Sequence, residues 1–195
     1  LGGLLAPSPA SNPMCRNLVP RGVGDVPRAL LVAMAERVDR GVEPPPSNYP
    51  RVNDGTLVDV EEARQAFPTV PGLRFPVRAN GYELLDFGAT FGRLGGVIAL
   101  QPPLVGARYP VLVPRPDADG FDIAGIRGMQ VSAPLGTTTG WNIRAEGHRS
   151  PSLCGLSGSY VAFTRTKAAR NRAGDPRLAL EERYRGPHAF PDAVA

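Results

Sequence analysis

The chain has 195 residues, enough for one domain or one domain with an extension. Its 23 glycines and 22 prolines are about twice ordinary usage and predict short elements joined by proline-stiffened coil. The net charge of +4 comes from 22 basic and 18 acidic residues mixed along the chain. This scatter argues against a nucleic-acid face, which needs clustered cations. A hydrophobic share of 42% argues against disorder, and no apolar run approaches the ~20 residues of a membrane span.

The chain starts at Leu1, and the run Leu1 to Pro9 lacks the basic start and apolar length of a signal peptide. The expectation is a cut in mid-sequence, with more chain upstream. After a loop-rich lead-in, Asp25 offers a cap and Pro27 suits a first helical turn. Val26, Ala29, Leu30, Ala33, Met34 and Val38 recur at three- and four-residue spacing, which predicts a helix to Arg40 with one buried stripe, stopped by Gly41. Pro44-Pro45-Pro46 lies in a stiff connector, and Asn53-Asp54-Gly55 reads as a tight turn. Asp59 with Glu62 predicts a capped short helix up to Phe67, ended by Pro68.

From 73 to 145 the pattern is β-rich. Strands are expected at 73–78, 82–87, 96–100 and 109–113, with a further extended piece at 130–133. Asp119-Gly120 marks a turn leading to Ile123-Ala124. A helix is expected from about Thr166 to Ala173 with Gly174 as its stop; its Arg170 and Arg172 would be a solvated last turn. A final helix is expected with Asp175 as cap, Pro176 in first position and 178–184 as its body. The fragment thus reads as mixed α+β, with short strands, three to four helices and much Pro/Gly-rich coil.

Three constellations invite a chemical reading. Gly155-Leu156-Ser157-Gly158-Ser159 approaches a nucleophile elbow, but Ser159 replaces the final glycine and an apolar extended run follows where a helix is needed. A Ser157–His148–Asp175 triad can be drawn, yet neither His148 nor His188 has the context of a catalytic base. Asp117-Ala118-Asp119-Gly120 echoes a calcium loop, but Gly128 stands where its closing acid belongs, so a hairpin turn is the expectation. No ligand-like spacing of histidine and cysteine predicts a metal, and no cofactor is expected. The spacing of Cys15 and Cys154 does not decide whether they pair; two lone thiols are the default. The third constellation runs from Arg127 to Thr139, Trp141 and Asn142, where the one tryptophan sits among hydroxyls and an amide. These four residues are the pocket-wall candidates. The competing reading, favoured here, is a tightly turned loop anchored by Trp141 with its indole N–H paired locally.

The same stretch carries a resemblance. Gly125-Ile126-Arg127, Val131, Pro134-Leu135, Thr137 and Thr139-Gly140-Trp141-Asn142-Ile143-Arg144 resemble bacterial α/β-hydrolase domain proteins regarded as esterases. The likeness continues through Gly158-Ser159-Tyr160, Gly174-Asp175-Pro176-Arg177 and Glu181-Glu182-Arg183-Tyr184. It implies an α/β-hydrolase-type parent fold with a serine–histidine–acid site, whose serine and histidine both precede Leu1. Residues 1–41 would then be the last loop and helix of the hydrolase core, and 42–195 a family-specific extension packed on it. The partners implied are that upstream core of the same protein and a small ester substrate. The chain itself would carry no catalytic residue, and a secreted or periplasmic location stays open, because any signal peptide would lie upstream. The rival expectation is a non-catalytic scaffold, or a module binding a ligand or protein through the Trp141 loop.

Overall fold

A computed structural model of the protein describes residues 13–19, 24–77, 79–186 and 189–190; Leu1 to Pro9 and His188 lie outside them. Among the described residues the elements are helix α1 (Asp25–Arg40), strand β1 (Leu57–Asp59), α2 (Val60–Ala66), β2 (Glu83–Asp86), β3 (Leu104–Arg108), β4 (Leu112–Pro114), α3 (Met129–Ser132), β5 (Gly136–Thr139), β6 (Ser159–Ala162), α4 (Lys167–Ala173) and α5 (Leu180–Arg183). The fold is mixed α/β, with five helices among the described residues where three to four were expected. The strands form three separate antiparallel pairs, β1 with β4, β2 with β3 and β5 with β6.

Capping chemistry fixes most helix ends as the sequence foretells, but Asp25 does not cap α1: it is the first helical residue, Gly24 holds the cap position, and no side chain bonds there. Gly41 takes φ +67°, a left-handed turn that costs a glycine nothing, and its N–H closes on the Arg37 carbonyl. The Asp59 carboxylate accepts the backbone N–H groups of Glu61 and Glu62, so β1 passes directly into α2. The Thr166 hydroxyl accepts from the N–H of Ala169, and Gly174 ends α4 at φ +63°.

The extended expectations fare less well. Strand β2 lies within 82–87, and β4 is shifted to the end of 109–113. The described residues of 73–78, and 96–100, are coil, because neither finds a partner for its backbone ladder. Residues 129–132 are a helical turn in place of an extended piece, closed by the Ala133 N–H on the Met129 carbonyl. Asp117 to Phe121 is the expected tight turn: the Asp117 carboxylate accepts from the N–H groups of Asp119 and Phe121.

Helix α1 departs most from expectation. It forms as foreseen, but none of its residues is buried, and its apolar stripe faces outward with Val38 77% exposed. Nothing among the described elements packs on it closely enough to cover the stripe. The hairpin β2–β3 is likewise exposed at every position on both strands.

The interior lies elsewhere. The buried apolar side chains among the described residues are Cys15, Val58, Ala63, Val70, Phe121, Ala133, Cys154, Phe163 and Ala179, a set too small to hold the chain by hydrophobic burial alone. A polar network supplements it around β5 and β6. Arg177, 2% exposed, grips the Asp175 carboxylate with two guanidinium nitrogens, at 2.9 and 2.6 Å. Its third nitrogen donates to the Thr137 hydroxyl (2.8 Å) and the Val161 carbonyl (3.0 Å). Thr137 donates to the Asp119 carbonyl, and Arg183 pairs with the Asp119 carboxylate. The Arg177 and Arg183 guanidiniums both lie over the Phe163 ring, 5.0 and 4.0 Å from its centre. Every buried charge here has a partner, as burial requires.

This network overturns the expectation that Asp175 caps the last helix. The Asp175 carboxylate is occupied by Arg177, and α5 begins five residues later with Ala179 as its cap residue, whose N–H bonds to Glu182. Arg170 is not part of a solvated last turn either: it pairs with Glu182 at 3.0 Å, both side chains largely covered. The lone-thiol default is also overturned. Cys15 and Cys154 form a disulfide across 139 residues, with Cα atoms 5.9 Å apart. Around it the segment 13–19 is laced to the β6 region: the Tyr160 N–H donates to the Asn17 carbonyl, the Val19 N–H to that of Gly158 and the Ala145 N–H to that of Met14.

Candidate functional site

The Trp141 loop grows out of the β5–β6 pair. Gly158 sits so close to the strand before Trp141 that a Cβ there would meet the Thr139 carbonyl at 2.3 Å, so this backbone approach needs glycine. The Thr139 and Ser159 hydroxyls both donate to the Trp141 carbonyl, at 2.7 and 2.9 Å. The Trp141 ring packs edge-on or tilted against Phe67 and Phe75, with centres 5.5 and 5.1 Å away. Its indole N–H donates to the Arg74 carbonyl at 3.1 Å, so the anchor pairs 67 residues away and not locally.

A cleft of about 480 Å³ lies beside this loop, walled by Trp141, Thr139, Arg127, Phe121, Asp122 and Val131 among others. It brings together three of the four pocket-wall candidates. Asn142 is not one of them. It is 3% exposed, and its amide donates to the carbonyls of Arg16 (2.7 Å) and Gly158 (3.3 Å), facing a different cavity. Within the cleft, Arg127 donates to the Asp122 carbonyl at 3.3 Å and lies 3.6 Å from the Asp117 carboxylate. Partial desolvation, helped by the negative charge of Asp117, raises the Asp122 carboxyl above its ordinary range. The cleft thus offers an aromatic wall, one arginine and one carboxyl, but its described lining contains no serine, cysteine or histidine that could act as nucleophile or base.

The paper triad does not assemble. Asp175 is spent on Arg177 and could not orient an imidazole, and His148 lies in a turn closed by its own N–H on the Ala145 carbonyl. Ser157 lies in the coil between Cys154 and β6 and lines none of the cavities described here. Among the described residues no group of histidine, cysteine, aspartate or glutamate could hold a metal ion, and no helix is long and apolar enough to cross a membrane.

Sequence reasoning missed two features. One is the Asp175–Arg177 pair, disguised because an aspartate before a proline reads as a helix start. The other is the cavity that Asn142 faces, where Arg16, Arg74 and Arg144 converge from segments far apart in the chain. Spacing along a sequence carries no signal for such a convergence.

The fold and these sites define a chain of mixed α/β class, held by a polar network and a disulfide, without an assembled triad among its described residues. The sequence model of the alpha/beta hydrolase domain family matches residues 6–195, and the chain belongs to that family. No curated protein and no solved structure matches it.

Proposed function

We propose that this chain is the carboxy-terminal part of an α/β-hydrolase-type carboxylic-ester hydrolase, in which it completes the core and shapes access to the active site. The catalytic serine, histidine and oxyanion hole belong to an upstream core of the same protein. There the serine attacks the ester carbonyl, the histidine takes its proton, and backbone donors stabilise the developing oxyanion. Residues 1–41 form the last loop and helix of that core, and 42–195 an extension packed against it. The cleft at Arg127, Thr139 and Trp141 lies on the extension and borders the route of a small ester substrate.

The observation that carries this reading is uncovered surface. Among the described residues, no residue of α1 is buried and both strands of the β2–β3 hairpin are exposed at every position. Helix α1 contributes Leu30, Leu31, Val32, Met34 and Val38 to that exposed surface, which is the character of a helix made to be covered. Membership of a hydrolase family supplies the chemistry that such a covered assembly would perform.

The test compares ester hydrolysis by the chain alone with hydrolysis by the same chain joined to its upstream sequence, using a p-nitrophenyl acyl ester. The joined protein turns over, the chain alone does not, and Ser157→Ala leaves the joined rate unchanged. Turnover by the chain alone that is abolished by Ser157→Ala would overturn the proposal.

A further inference from the structure

The cavity facing Asn142, about 350 Å³, is lined by Arg16, Arg74 and Arg144 together with Asn17 and Glu146. Three arginines against one glutamate line one small space, a surplus of positive charge. Glu146 answers only part of this: it pairs with Arg74 at 2.7 Å. The Arg144 Nε donates to the Leu153 carbonyl at 3.2 Å, leaving its two terminal nitrogens uncommitted among the described residues. Arg16 makes no ion pair or side-chain hydrogen bond there. Like charges so gathered repel, and Glu146, whose carboxyl is lowered by its hydrogen bond to Arg74 and by the charges of Arg74 and Arg16, is the one carboxylate lining this cavity among the described residues.

The main chains beneath these arginines are nevertheless fixed. The Arg16 carbonyl accepts from the buried Asn142 amide, and the adjacent Cys15 is tied to Cys154. The Arg74 carbonyl accepts from the Trp141 indole. The Arg144 N–H donates to the Ser152 carbonyl, and Arg144 bridges to Cys15. Two of the residues first expected to line a pocket, Trp141 and Asn142, therefore hold the backbones of a different one. Arginine forks carried on fixed backbones suit planar or tetrahedral oxyanions, which accept paired N–H bonds.

We propose that this cavity binds a small oxyanion carrying more than one negative charge, of phosphate or polycarboxylate type. The site is separate from the Trp141 cleft and independent of the hydrolase reading, so either can fail alone. Glu146 is a built-in competitor for Arg74, and removing its charge strengthens binding.

The test is isothermal titration of the full-length protein, at constant ionic strength, with inorganic phosphate in one arm and citrate in the other. Saturable heat with phosphate alone assigns a phosphate site, and with citrate alone a polycarboxylate site. Arg16→Met weakens binding roughly tenfold or more, and Arg16→Lys restores part of it. Near-UV circular dichroism verifies that Arg16→Met keeps its fold. Glu146→Gln, at an exposed position, tightens binding several-fold. No heat in either arm up to roughly 10 mM ligand, equal binding by Arg16→Met and the parent, or weaker binding by Glu146→Gln would each overturn the assignment.

Discussion

Two regions of this molecule solve the problem of burial in opposite ways. Around β5 and β6 the interior is largely polar, yet each charge is met: Arg177 by Asp175, Arg183 by Asp119 and Arg170 by Glu182. In α1 and the β2–β3 hairpin the side chains are largely apolar and none is buried. The first region closes on itself through directional bonds, so its geometry is set within the chain. The second has surface to spare and no partner among the described residues. The difference teaches that apolar patterning reports what a segment can bury, whereas the location of the partner is a separate matter.

The comparison can be broken most sharply at Arg177. Arg177→Met strands a buried Asp175 carboxylate and should cost about 3–5 kcal/mol in denaturant unfolding, with Arg177→Lys failing to restore the two-pronged grip. A loss within the range of a surface substitution would mean that the polar block is not what holds the fold. Acid should probe the same pair. Burial pushes the Asp175 carboxyl up, but its bonds to the Arg177 guanidinium and backbone N–H outweigh this and hold it below its ordinary 3.8. A carboxyl lowered in the folded state stabilises above its unfolded pKa, and that contribution fades as pH falls through the folded one. Stability should therefore decline below about pH 4 in the parent, and this decline should shrink in Asp175→Asn, as followed by thermal unfolding across pH.

Next in size is the disulfide. Cys154→Ser should cost about 2–4 kcal/mol, and dithiothreitol should lower the parent's melting temperature while leaving the variant's unchanged. Gly158→Ala follows, because its new Cβ collides with the Thr139 carbonyl; a loss of about 1–3 kcal/mol is expected in the same denaturant assay. Smallest is Val38→Glu on α1, which should alter the unfolding free energy of this chain by no more than about 0.5 kcal/mol. It should reduce self-association in light scattering, and under the proposed function it should also cost activity in the joined protein. A large stability loss from Val38→Glu would show α1 to be held by this chain after all, and would erase the contrast.

Helix boundaries were legible because caps are local chemistry: Gly41, Asp59, Thr166 and Gly174 each act on backbone within a few residues. Strands were only partly legible, since a ladder needs a partner that may lie far away, as Leu57 pairs with Pro114. Residues 96–100 have strand composition and no partner, and so remain coil. The buried face of α1 was misread for the same reason. At the site, the reading of the Trp141 loop as an anchor fits the indole bond, but its partner Arg74 was out of reach of any local pattern. Asp175 illustrates ambiguity of chemistry: the carboxylate that would cap a helix serves equally well to neutralise an arginine two residues on.

The Cys15–Cys154 bond also imposes an order in time. Synthesis delivers Cys15 139 residues ahead of its partner, which follows β5 and shortly precedes β6. Until then the segment 13–19 has no β6 to pair with, because Leu18 bridges to Ser159 and Asn17 accepts from Tyr160. With two cysteines among these 195 residues, no wrong pairing within this segment competes for the waiting thiol. Covalent closure therefore waits for residue 154, and it seals the pairing of segment 13–19 with the β6 region that forms at the same stage.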